Sequence, residues 1–153
     1  MPIVFLDSRV STALASSTGT TVLPTDPTLL GDIGLQVNEV LGTPNEGDVR
    51  VELMGSVNLD GTPANQVTIT IERNGTGTAG TGTVIYTAVV DFGATGNNMI
   101  AFSAADFQPP VPTAGANIGQ LRYTMFVEDT STAAADITIV GPVNFNGLAQ
   151  AGQ

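Results

Sequence analysis

The sequence contains no cysteine, no histidine, no tryptophan and no lysine. Without cysteine there is no disulfide and no thiolate nucleophile. Without cysteine and histidine no Cys/His zinc site can form, and Ser-His-Asp chemistry is excluded. Charge is scarce as well: 12% of the residues are Asp, Glu, Lys or Arg, about half the usual soluble fraction. Arg9, Arg50, Arg73 and Arg122 are the whole basic complement against 14 acidic residues, for a net charge of −10. Four scattered arginines do not make the basic stripe that phosphate neutralisation needs, so nucleic acid is not an expected partner. They make no polybasic patch for an anionic membrane either. No stretch approaches the roughly 18 apolar residues of a membrane-spanning helix. The apolar run at the N-terminus, Ile3 to Leu6, is shorter than the roughly 7–15 residues of a secretory core region and lacks its basic flank. Synthesis without a cleaved signal peptide is the expectation.

What the sequence does contain is β-strand texture. From Asp32 onward, apolar and polar residues alternate: Val49, Val51, Leu53 against Arg50, Glu52, Met54, then Val67, Ile69, Ile71 against Thr68, Thr70, Glu72. A period of two rich in β-branched residues marks a half-buried strand. The same pattern recurs in DIGLQVNEVLG, TVIYTAVVDF, NMIAFSA, QLRYTMFVED, ADITIVG and PVNFNGLA, which makes about eight strands. Ser103–Phe107 alone suggests a turn of helix. Turn residues separate the strands, as in Asp60-Gly61-Thr62-Pro63 and Asn74-Gly75. The chain length suits one domain plus an arm. The expected fold is therefore all-β: an eight-stranded antiparallel jelly-roll sandwich over 32–153. An extended N-terminal connector arm with a Ser/Thr-rich linker is expected over 1–31, because residues 8–31 are mostly Ser, Thr, Ala, Gly and Pro.

Candidate chemistry is thin. Paired carboxylates for glycoside hydrolysis would have to come from Glu52, Glu72, Asp91 and Glu128, whose positions read as a solvated sheet face. Asp60, Asp129 and Asp136 lie at loop edges without calcium-loop spacing, which reads as turn chemistry. NGTGTAGTG at 74–82 matches no phosphate-binding loop and reads as a flexible strand connection. NGT at 74–76 formally matches a glycosylation acceptor. Tyr86 and Tyr123 fall within strands, where packing is the expected fate. No catalytic residue, metal ligand or cofactor is expected, and the chain reads as a non-enzyme.

The opening MPIVFLDSRVS is the most informative stretch. Ile3, Val4, Phe5 and Leu6 have high β-propensity, with Pro2 before them and Asp7 after them. The segment can fold back as an edge strand, trail as a disordered tail, or insert into a neighbouring molecule by adding a strand or filling an apolar groove. Insertion is the reading carried forward, with Pro2 and Asp7 delimiting the docking segment. A subunit that docks its arm in the next makes a heterologous contact, which gives a filament if the rotation does not close.

The RVELMGSVNL and QLRYTMFVED strands, the closing ADITIVGPVNFNGLA pair and the apolar N-terminal peptide before a Ser/Thr spacer resemble spore-surface proteins with a C1q/TNF-like jelly roll. These are the exosporium and endospore appendage fibre proteins. The resemblance implies homo-oligomers, as trimers or a helical filament, with N-terminal connectors linking stacked trimers. Anchor or tip proteins would be further partners, and the location would be a cell or spore surface. The collagen-like Gly-X-Y repeats of exosporium filaments are absent. A carbohydrate- or receptor-binding module of a phage or cell surface, and a virion capsid or decoration protein, are the alternatives.

Overall fold

The computed structural model describes residues 3–132 and 136–152. Its strands are β1 (Val4–Leu14), β2 (Thr21–Val22), β3 (Thr28–Gln36), β4 (Arg50–Gly61), β5 (Gln66–Arg73), β6 (Thr83–Asp91), β7 (Gly96–Phe107), β8 (Gln120–Asp129) and β9 (Thr138–Ala151). Two short 3-10 turns, Asn38–Val40 and Glu46–Asp48, lie between β3 and β4. One sheet has the order β1-β9-β4-β7, with β2 also paired to β9; the other has β3-β8-β5-β6. The antiparallel pairs β1·β9, β3·β8, β4·β7 and β5·β6 are those of one long hairpin rolled up. The pairs β4·β9 and β5·β8 then join its turns into two sheets. This is a jelly-roll sandwich.

Alternation decides which side chains fill the space between the sheets. Val67, Ile69 and Ile71 of β5 and Leu121, Tyr123, Met125 and Val127 of β8 are fully buried. They face Leu53, Val57, Leu59, Val143 and Phe145 from the first sheet within one core. β9 alternates half-buried and buried over its whole length. Gly147 lets β9 pass close beneath the second sheet, since a Cβ there would stand 2.7 Å from Ile33 Cδ1 and 3.2 Å from Leu35 Cδ1 of β3. One side of the sandwich is closed by aromatics: Tyr86 on β6 stacks on Phe102 of β7 with ring centroids 5.7 Å apart. An ion pair ties the sheets together. Arg73 Nη1 on β5 donates to both Asp106 oxygens on β7, at 2.9 and 2.7 Å. The Tyr123 hydroxyl on β8 donates to Asp106 Oδ2 at 2.9 Å. Burial raises the Tyr123 phenol far above its ordinary range, and the Asp106 charge and hydrogen bond push it further, against the smaller opposing effect of Arg73.

Several expectations are corrected. Among the described residues there are nine strands rather than eight. From Thr138 onward the ADITIVG and PVNFNGLA segments form a single strand, β9, because a register shift against β4, with three residues of β9 opposite Asn58 alone, lets the pairing continue past Pro142. Asn58 Nδ2 donates to the Gly141 carbonyl at 2.7 Å across that shift. Ser103–Phe107 is strand, paired with Met54 back to Arg50, rather than helix. DIGLQVNEVLG leaves the sheet after Gln36. The N-terminal segment is not an extended arm within this chain: Val4–Leu14 is the edge strand of the first sheet, along β9. The expected boundary between 31 and 32 falls inside β3.

Candidate assembly surface

β1 begins with the docking segment expected from the sequence. Pro2 lies outside the described residues. Ile3 precedes the strand, and Val4 and Phe5 pair with Ala151 and Gln150. Leu6 is the extra residue of a bulge, since the next pair is Asp7 with Ala149. The bulge turns Leu6 inward, where it is half-buried against the core. Ile3, Val4 and Phe5 stay outside, 59%, 41% and 61% exposed. Asp7 does not end the segment. Strand continues for seven residues to Leu14, because β9 offers an open edge to the backbone and edge pairing asks little of polar side chains.

Asp7 instead fastens β1 to the second sheet. Its Oδ2 accepts the Gln36 N–H from β3 at 2.8 Å and Arg9 Nε at 2.9 Å, and its Oδ1 accepts the Ser8 N–H at 2.9 Å. Partial burial pushes the carboxyl up, but the Gln36 N–H, the Arg9 guanidinium and the Ser8 N–H together outweigh it and hold Asp7 below its ordinary value of 3.8. A lowered folded value means the contribution to stability is complete above the unfolded value and is lost as pH falls through the folded one. Asp7→Asn is therefore expected to cost about 1 kcal/mol at neutral pH, the low end for a charged hydrogen bond because the site is partly exposed. Protection of the Gln36 amide from hydrogen exchange is expected to fall below about pH 4 in the native chain and to be pH-independent in the variant. Equal protection of that amide in both proteins at pH 7 would refute the fastening.

The rest of the outer face of the first sheet was only partly legible. Register places Phe5, Gln150, Arg50 and Phe107 in one row. The Arg50 guanidinium lies 5.4 Å over the Phe107 ring. Val10, Asn146, Met54 and Ser103 form another row. Val10, Met54 and Phe107 are all largely exposed. The alternation of β4 placed Met54 outward, but nothing local showed that Val10 and Phe107 would share its face. A cavity of about 260 Å³ opens at the Leu14 end of β1, lined by Leu14, Gly19, Thr21, Thr28, Leu30 and Ile139 among others. It had no sequence signature.

The other candidates separate in space. Glu52 and Asp91 are exposed and Glu128 is half-buried. Glu72 is 2% exposed, against the expectation of a solvated position. Asp129 accepts the Ser131 N–H in a turn. Asp60 and Asp136 are exposed. No group of three or more acidic side chains is placed to hold a metal ion among the described residues. Tyr123 is buried and Tyr86 is half-buried on Phe102, so neither tyrosine offers a flat exposed platform.

No protein-family model matches the chain, and no curated protein matches it. Solved structures do. The VP2 subviral particle of infectious bursal disease virus is 9% identical, with 95% of this chain covered, 39% of that one and a TM-score of 0.51. T=1 particles derived from the same virus are 10% identical, covering 95% and 37%, with a TM-score of 0.49. Eiger TNF from S. frugiperda is 11% identical, covering 94% and 91%, with a TM-score of 0.47. The shared property is the fold. The chain spans 30–39% of the length of the infectious bursal disease virus chains it matches.

Proposed function

We propose that this protein is a non-enzymatic structural subunit that self-assembles into an extracellular or spore-surface fibre, its apolar N-terminal segment docking into a neighbouring subunit. The observation that carries the reading is the exposure of the consecutive Ile3, Val4 and Phe5 at the start of a strand already paired with β9. Three adjacent large apolar side chains left in water at one tip are a contact awaiting a partner. The fold supports this, being one that also builds the VP2 subviral particle. Low charge supports it too, since interface cores are depleted of charged residues.

The edge-strand position decides how the reading should be tested. Deleting residues 2–11 would strip β9 of its pairing with β1 and open a sheet edge, confounding docking with damage. Ile3→Asp with Phe5→Asp leaves the β1 backbone paired and changes only exposed side chains. The native chain is expected to form fibres by negative-stain microscopy and light scattering. The double variant is expected to remain a discrete small species with an unchanged circular dichroism spectrum. Identical small species from both would overturn the proposal.

A further inference from the structure

We propose that the acceptor for the N-terminal tip is the cavity at the opposite end of the same strand on a second copy of this chain, so that subunits join head to tail. The inference rests on the self-assembly reading and names its partner site. The cavity of about 260 Å³ lies where the end of β1, β2, the start of β3 and β9 converge. No ionisable side chain lines it, in a chain of net charge −10. The tip, Ile3 to Phe5, is equally free of charge. Two such patches are where strongly acidic copies touch without setting carboxylate against carboxylate.

Size and stiffness agree with this occupant. The volume falls below the roughly 300–1,000 Å³ of small-molecule sites and suits one or two apolar side chains. Leu14 and Leu30 pack on the core from one side and are only partly buried, so an inserted Ile3 or Phe5 would complete their burial. The wall at Gly19 is backbone: its N–H donates to the Val140 carbonyl at 3.0 Å, and a Cβ there would collide with the Ile139 carbonyl oxygen. The cavity is thus preformed.

Geometry excludes self-insertion. β1 pairs with β9 from Val4 through to Leu14, so the tip and the cavity stand about 33 Å apart on one molecule, at roughly 3.3 Å per residue. Donor and acceptor are different surfaces, which makes the contact heterologous; repeated without closure, it gives a filament.

The absence of cysteine makes the test unambiguous. Ile3→Cys with Thr21→Cys in one chain is expected to give a ladder of disulfide-linked multimers on mild oxidation, and either single variant is expected to stop at dimers. Blocking variants provide a second arm. Thr21→Glu, at an exposed residue, places a charge at the cavity mouth and is expected to raise the concentration needed for assembly at least tenfold. Mixed in equal amounts with the tip-blocked Ile3→Asp/Phe5→Asp chain, it is expected to form a heterodimer and nothing longer, because only one compatible contact remains. If Thr21→Glu assembles like the native chain and no ladder forms, the cavity is not the acceptor although self-assembly stands. If the native chain never leaves the monomer, the self-assembly reading fails and this inference with it.

Discussion

Removing the Asp106 carboxylate is expected to cost about 3–5 kcal/mol of folding stability, the range for breaking one side of a buried ion pair. The side chains of Arg73 and Asp106 are 14% and 10% exposed, so water does little to replace a lost partner. Asp106→Ala strands the Arg73 guanidinium between the sheets and leaves the Tyr123 hydroxyl without its acceptor. At this chain length the loss should lower Tm by about 6–20 °C. Replacing the group as a unit should be far milder. Arg73→Met with Asp106→Leu and Tyr123→Phe removes charge and partner together, and such exchanges are often near neutral. Thermal unfolding of the single and triple variants tests the point. A single variant within 1 kcal/mol of the native chain would show that the pair does not clamp the sheets.

That clamp shows what local sequence reading reaches and what it does not. Period-two alternation located the strands that became β4 to β8 closely, because each has one face in the core, and a register slip would expose Val67, Ile69 and Ile71 together. The jelly roll followed from counting such strands. The alternation could not say that Arg73 and Asp106, 33 residues apart, would meet, since that depends on β5 and β7 lying in opposite sheets. Folding back as an edge strand was one of the open readings of β1, and the sequence could not select it for a related reason. Its polar half, Ser8 to Leu14, has weak strand propensity of its own and is ordered by the edge of β9. The apolar tip stands out in the sequence because four large side chains in a row are unusual in so polar a stretch, and three of them, Ile3, Val4 and Phe5, are exposed. The cavity proposed to receive it was not, being assembled from four strands and the backbone of a glycine.

Glu72 is the sharpest miss, and the consequence is large. By alternation its side chain belongs on the outer face of β5 with Thr68 and Thr70, and a lone carboxylate there reads as solvated. Instead the glycine-rich segment 74–82 folds back over that face. Gly80 and Gly82 donate their N–H groups to Glu72 Oε1 and Oε2 at 2.6 and 2.9 Å. Gly80 does so at a φ of +80°, a conformation that a side chain would disfavour. The covered face includes Phe126, which is 2% exposed although it points away from the core. Losing both charge-assisted bonds in Glu72→Ala is expected to cost about 2–4 kcal/mol, after allowing for the carboxylate that no longer needs desolvating. Glu72→Gln is the more telling variant. An amide presents one acceptor and one donor where the loop offers two donors, so one N–H must go unsatisfied and the loss should fall between native and alanine. Hydrogen exchange at Gly80 and Gly82 should speed up in both variants while the amides of β8 stay protected. Unchanged exchange at both glycines would mean that the loop holds its place without the carboxylate. The segment would then owe its position to turn hydrogen bonds of its own, such as the Thr76 N–H to Thr81 Oγ1 bond of 2.8 Å.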